Sequence, residues 1–179
     1  MHLPRPSVPG GQFTQLVPGL RAGDTLQVAL PYGNFQLREG SAAPLLCVAG
    51  GTGFAPVKSL LDDLVKRGEH RKVTLVWGGR TREGVYLPAA VERWQKALPG
   101  FTFLPALEDA ADALALGAFH GRVDAAVRSL HGPLAGHEVY CCGAPAMVTA
   151  VRQACVEEGQ VAAADFFSDV FVTGPAVPG

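Results

Sequence analysis

The sequence predicts an α/β fold: a five-stranded parallel, doubly wound sheet in a flavodoxin-like strand order. Three observations predict it. Apolar runs of strand length alternate with stretches of helical periodicity from Pro44 onward. The runs are near-continuous rather than alternating, as expected for strands covered on both faces. Three of them end in glycine, followed by proline or arginine. Strands whose C-terminal ends carry such residues share the crevice where open α/β sheets bind ligands.

The first strand is Leu45–Ala49, and it runs into Gly50-Gly51-Thr52-Gly53-Phe54-Ala55-Pro56. Pro56 starts a helical pattern to Arg67, with Val57, Leu60, Leu61, Leu64 and Val65 on one face. Strand, tight glycine turn and helix in succession present free N–H groups and the helix dipole to an anion. Gly51, Thr52 and Gly53 are therefore candidate phosphate contacts, and an ordinary βα turn is the alternative. The spacing is not the full G-x-G-x-x-G, because Pro56 stands at the third glycine's place.

The second strand, Val73–Trp77, ends in Gly78-Gly79-Arg80, with Arg82 close by. A guanidinium there can pair with a phosphate or stack on an adenine, or it is a solvated loop residue. A third strand covers Thr102–Ala106. A fourth, Glu138–Cys142, ends in Gly143-Ala144-Pro145-Ala146-Met147, and a fifth covers Asp165–Phe171. Helices are expected over Leu87–Ala97, Val123–Leu130 and Pro145–Glu158. Glu108, Asp109 and Asp112 read as a loop facing water.

Before Pro44 the pattern differs. Leu26–Leu30 reads as a strand, Pro31 to Asn34 as a turn and Phe35–Leu37 as a short second strand, with a helical turn within Phe13–Leu20. The expected division is residues 1–41 as one piece and 42–179 as a nucleotide-binding domain.

Composition narrows the function classes. The chain of 179 residues has a net charge of −1, 48% hydrophobic and 17% charged residues. That gives no electrostatic footprint for nucleic acid or a membrane surface. No apolar run is long enough to span a bilayer, and the Pro- and Gly-rich start has no signal-peptide core, so a cytoplasmic location is expected. Cys47, Cys141, Cys142 and Cys155 match neither a zinc site nor an iron–sulfur run, and no metal is expected. A G-x-S-x-G elbow is absent, so hydrolase chemistry lacks its residues.

The ordered set Gly50-Gly51-Thr52-Gly53-Phe54-Ala55-Pro56, Trp77-Gly78-Gly79-Arg80 and Cys142-Gly143-Ala144-Pro145-Ala146-Met147 resembles the NAD(P)-binding domain of ferredoxin–NADP reductase-like flavoenzymes. The likeness is nearest to NADH-using flavin reductases and the reductase components of oxygenases. Gly11-Gln12-Phe13-Thr14 and Pro31-Tyr32-Gly33 resemble motifs of the family's flavin domain. The resemblance implies hydride transfer from NADH to FAD, with electrons passed to an iron–sulfur or oxygenase acceptor. It places Arg80 and Arg82 by the adenosine half of the cofactor. It places Cys142, Gly143, Pro145 and Met147 by the nicotinamide, with Cys142 packing against the ring. Asp169 and Phe171 match a C-terminal aromatic segment that covers the flavin, which gives Cys142 and Phe171 a part in the reaction. Thr14 and Tyr32 would meet the flavin.

Gly79 takes the place of a serine that NADP-users put near the 2′-phosphate, which favours NADH; Arg80 and Arg82 leave room for NADPH. The flavin domain of the family is an antiparallel barrel of six strands, needing well over about 60 residues. Residues 1–41 therefore read as the last part of that barrel, and the Arg-x-Tyr-Ser flavin motif does not occur. Two other readings remain at this point: a nucleotide-binding module without turnover of its own, and a flavodoxin-like scaffold with no cofactor.

Overall fold

In the computed structural model, residues 15–27 and 33–171 are described. One compact unit comprises Phe35–Phe171. It contains β1 (Leu45–Gly50), α1 (Phe54–Arg67), β2 (Val73–Gly79), α2 (Pro88–Ala97), β3 (Phe101–Leu107), α3 (Ala110–Leu116), β4 (Phe119–His120), α4 (Val123–Arg128), β5 (Glu138–Gly143), α5 (Pro145–Arg152) and β6 (Phe166–Val170). A π-helical turn over Gln153–Glu158 continues α5. All the strand pairs are parallel, in the order β4-β3-β2-β1-β5-β6.

The five expected strands are present, and a sixth of two residues, β4, lies at one edge. The order is not flavodoxin-like. The chain steps outward from β1 through β2 and β3 to β4, then recrosses to β5 on the other side of β1. A flavodoxin-like order would put β2 and β3 on opposite sides of β1. Strands buried on both faces read alike wherever they sit, so hydrophobic pattern carries no information on order. The recrossing makes the β1–β5 boundary the switch point of the sheet.

Side chains alternate between two core layers. Leu45, Cys47 and Ala49 of β1 join Phe54, Leu61, Trp77 and Trp94 on the face covered by α1 and α2. Leu46 and Val48 join Val76, Val127, Val151 and Cys155 on the face covered by α4 and α5. Phe54 stacks on Trp77 with ring centroids 3.4 Å apart, and Tyr86 meets both rings edge-on. Asp62 ties α1 to α2 by accepting from Trp94 Nε1 at 2.9 Å and from Arg93.

Helix starts follow local rules. α1 begins at Phe54, so Pro56 is its third residue, where a missing N–H costs nothing. The acidic loop forms α3: the Asp109 side chain caps it by accepting from the Asp112 N–H at 2.9 Å, and Gly117, at φ 63°, ends it.

Ahead of β1, the described residues outside the compact unit contain one 3₁₀ turn, Val17–Gly19, and no strand. Thr14, Tyr32 and most of the Leu26–Leu30 strand lie outside the described residues. Phe35–Leu37 is not a strand. Phe35 and Leu37 do point inward, but they dock by side chains: Phe35 sits edge-on to Tyr140 at 5.7 Å, and the Arg38 N–H donates to the Tyr140 hydroxyl at 3.1 Å. A strand needs a backbone partner, and this segment has a phenol instead.

A buried charge pair holds the segment ahead of β1 to the bottom of the sheet. Glu138, 1% exposed, accepts from Arg71 Nη2 at 2.7 Å. Arg71 Nε donates to the Ala43 carbonyl at 2.7 Å, and Arg38 Nη1 stands 3.5 Å from the other Glu138 oxygen. Removing one member of a buried pair strands the other charge out of water. Arg71→Ala is therefore expected to lower the unfolding free energy by about 3–5 kcal/mol. Urea unfolding followed by circular dichroism checks this, and a loss below about 1 kcal/mol would show the pair to be solvated.

Candidate nucleotide-binding site

At the C-terminal ends of β1, β2 and β3 and the starts of α4 and α5 lies a cleft of about 500 Å³. That size is usual for a small-molecule site. Gly50, Gly51, Gly78, Arg80 and Met147 line it, all of them candidates from the sequence. Glu108, Gly121, Arg122 and Val123 line it as well. Glu108 immediately follows β3, and the positional logic applied to the ends of β1, β2 and β5 applies equally there.

The glycines have different reasons for being bare. A Cβ on Gly53 would lie 2.2 Å from the Cys142 carbonyl oxygen, so Gly53 is needed for the approach of α1's start to β5. A Cβ on Gly78 would lie 2.1 Å from Val123 Cγ1, and one on Gly50 would lie 2.3 Å from Met147 Sδ. Gly51 alone of these four faces open space, with φ +52°. That left-handed backbone disfavours a side chain, and none of the described residues covers it. The backbone that a phosphate can approach is thus Gly51's, at the edge of the cleft. No side chain caps the N-terminus of α1, and its first turn carries no acidic residue. Thr52 is exposed beside Gly51, while Pro56 is half-buried in the first turn of α1; neither lines the cleft.

The two arginines separate. Arg82 is on the surface among carboxylates: its N–H donates to Asp112 at 3.0 Å, and its guanidinium stands 3.5 Å from Glu83 and 3.9 Å from Asp112. Arg80 lines the cleft and makes no ion pair within 4.0 Å among the described residues. Gly79 and Glu108 line the same cleft, Gly79 packing closely against Gly84 and Glu108 adding a carboxylate to the wall that carries Arg80.

Cys142 is fully buried, in the layer with Phe54 and Trp77. Burial, with Asp169 beside it, pushes its thiol up to about 12, so it stays protonated at neutral pH and is no nucleophile. Asp169 pairs in register with Cys142 across β5 and β6. Gly143 ends β5, its carbonyl accepting from the Phe171 N–H at 3.0 Å. Phe171 is 41% exposed, which is not the burial of a core edge strand. Pro145 is exposed as the first residue of α5. Gly143, Phe171 and the cleft thus share the C-terminal end of the sheet, while the Cys142 side chain lies beneath it.

Residues 47–153 match the model of the oxidoreductase NAD-binding domain. The chain belongs to that family. It is 51% identical over 168 residues to the reductase component 2 of terephthalate 1,2-dioxygenase from Comamonas sp, covering 94% of this chain and 49% of that protein. It is 34% identical over 168 residues to the reductase component DmpP of a Pseudomonas phenol 2-monooxygenase, covering 93% and 47%. The chain thus spans about half the length of the curated relatives it matches. Among solved structures it superposes on the Amycolatopsis cytochrome P450 reductase GcoB with a TM-score of 0.79 and 29% identity, over 95% of this chain and 51% of that one. A ferredoxin reductase of carbazole 1,9a-dioxygenase shares the fold, with a TM-score of 0.73 at 22% identity over 92% and 49%.

The glycines are expected to fail in different ways. Gly53→Ala forces a methyl onto backbone and should cost stability by more than the about 1–3 kcal/mol of ordinary overpacking. Gly51→Ala should cost only about 1–2 kcal/mol for its left-handed backbone, yet weaken NADH binding by about tenfold or more. Thermal melts and calorimetric NADH titration separate the two. Wild-type affinity in Gly51→Ala would remove this glycine from the phosphate site.

Proposed function

We propose that this chain is the NADH-binding part of an oxygenase reductase component, working with FAD and passing electrons to an iron–sulfur or oxygenase acceptor. The observation that carries the reading is the cleft itself. An uncovered Gly51 backbone at an uncapped helix start stands with Arg80, which has no ion-pair partner among the described residues, and the acid Glu108 along one wall at the sheet's switch point. The family match and the relatives' names supply the chemical class.

In this reading Gly51 and Thr52 hold the pyrophosphate, and Arg80 neutralises it or stacks on the adenine. Met147 and Gly143 line the way to the nicotinamide end, and Pro145 starts the helix beside it. Phe171, half-exposed next to Gly143, would sit over the flavin face and yield to the nicotinamide. Cys142 and Asp169 support that end from beneath, with the thiol protonated throughout. The cofactors supply hydride and single-electron chemistry; the protein's part is binding, orientation and exclusion of water. Thr14 and Tyr32, the flavin candidates, lie outside the described residues, so FAD enters through the family likeness. A cytoplasmic location fits this role, and no helix among the described residues is long and apolar enough to cross a membrane.

Glu108 favours NADH over NADPH. A carboxylate in the cleft can accept from a ribose hydroxyl, and it repels a 2′-phosphate by about 1 kcal/mol or more at contact distances in water. Calorimetry on the chain should give tighter binding of NADH than of NADPH. Glu108→Gln should narrow the gap by about fivefold, mainly by improving NADPH. A wild-type preference for NADPH would overturn the choice of cofactor. A failure of both nucleotides to bind would overturn the site.

A further inference from the structure

Met147 is the third residue of α5 and lines the cleft. A Cβ on Gly50 would lie 2.3 Å from its Sδ, and a Cβ on Gly143 would lie 2.7 Å from its Cε and 3.0 Å from its Sδ. The thioether is therefore packed against two bare backbones. They belong to β1 and β5, whose paired register ends one residue earlier, at Ala49 and Cys142. A flexible, polarizable side chain fills the opening of the switch point and packs against the core layer under α4 and α5, with its exposed surface toward the cleft.

The other sulfurs are differently placed. Cys47, Cys141, Cys142 and Cys155 are all buried. Burial pushes the thiols of Cys47, Cys142 and Cys155 up to about 12, and that of Cys141 upward too. A thiolate is the form of cysteine that attacks peroxide, and these residues do not offer one at neutral pH. A thioether needs no deprotonation. The chain has two methionines, and the other is Met1. Among the described residues, the sulfur open to peroxide is the one in the cleft.

We propose that Met147 is an oxidation site, and that its conversion to the sulfoxide by hydrogen peroxide closes the nucleotide cleft. The step balances simply. A sulfur lone pair attacks one peroxide oxygen, the O–O bond breaks, and water leaves after proton transfer. Sulfur is oxidised by two electrons, and the peroxide is reduced by the same two. Glycine backbone occupies one side of Sδ, so the new oxygen has to point into the cleft or push α5 away from β1. In either case the space for a dinucleotide shrinks. The negative end of an S–O dipole then stands where phosphate oxygens would pass, and both are acceptors only. The consequence for NADH rests on the cleft being the nucleotide site, as proposed above. The oxidant is one that reduced flavin and dioxygen generate together, so the modification would reduce nucleotide binding when electrons leak to oxygen.

The test treats the whole chain with dilute hydrogen peroxide, locates added oxygen by peptide mass spectrometry, and titrates NADH by calorimetry. Met147 should gain one oxygen while the four cysteines stay unmodified, and NADH present during treatment should slow the gain. Affinity should fall by about tenfold or more in proportion to the sulfoxide fraction. Methionine sulfoxide reductases acting on both epimers should restore it. Met147→Leu, whatever its own affinity, should bind NADH equally before and after peroxide. An unmodified Met147, unchanged affinity in the sulfoxide form, or an equal loss in Met147→Leu would each overturn the proposal while leaving the nucleotide site standing. Untreated protein that binds no NADH would sink the site and this inference together.

Discussion

β1 and β5 run side by side as far as Ala49 and Cys142, and what packs at the point where their pairing ends sets the rest of the site. Three close approaches occur there. The start of α1 comes onto β5 through Gly53, whose bare Cα faces the Cys142 carbonyl. The start of α5 comes onto β1 through Met147, whose sulfur faces the bare Gly50. Val123 of α4 comes onto β2 through the bare Gly78. Each contact removes a side chain from the sheet's C-terminal edge, and together they bring three helix starts to one place. Gly51 is left over: it serves none of these contacts and presents backbone to the open. A phosphate-binding loop here is what remains uncovered when the neighbouring glycines are used for packing.

The opposite end of the sheet is held differently. There the chain arrives at β1 under the Arg71–Glu138 pair, with Arg38 and Tyr140 completing the contact. A buried ion pair adds little net stability compared with apolar packing, but separating its partners leaves an uncompensated charge out of water. The direction in which the chain reaches β1 is thereby restricted. Apolar packing along both faces supplies the rigidity between the two ends, and the Phe54–Trp77 stack lies directly beneath the glycine turn.

Much of this was legible in the sequence, for physical reasons that also explain the failures. Strands β1, β2 and β5 announced themselves as apolar runs ending in glycine, and the 3.6-residue period marked α1 and α5 within two residues of their observed starts. Strand order was not legible, because Leu45–Ala49 and Val73–Trp77 are both largely apolar and nothing in their composition says which neighbour each takes. The sequence of α3 reads as loop because its capping carboxylate, Asp109, looks like any solvated acid until the Asp112 amide is found beside it. Gly53 reads as a phosphate contact because a sequence shows that a side chain is missing and not that the Cys142 carbonyl lies opposite. Arg82 and Arg80 read alike for the same reason; only the positions of Glu83 and Asp112 set them apart. Glu108 is not marked in the sequence because a single acid after a strand carries no pattern.

In the proposed function, the uncovered Gly51 backbone and the wall formed by Arg80 and Glu108 receive a nicotinamide dinucleotide. Backbone amide chemical shifts of the isotope-labelled chain, followed by NMR as NADH is added, test it residue by residue. The account predicts that the largest saturable changes fall on Gly51, Thr52, Arg80, Glu108 and Met147, with Arg82 little affected. Changes gathered instead at the second hollow, around Leu130, Leu134 and Gln160 near the end of α5, or no saturable change at all, would contradict it.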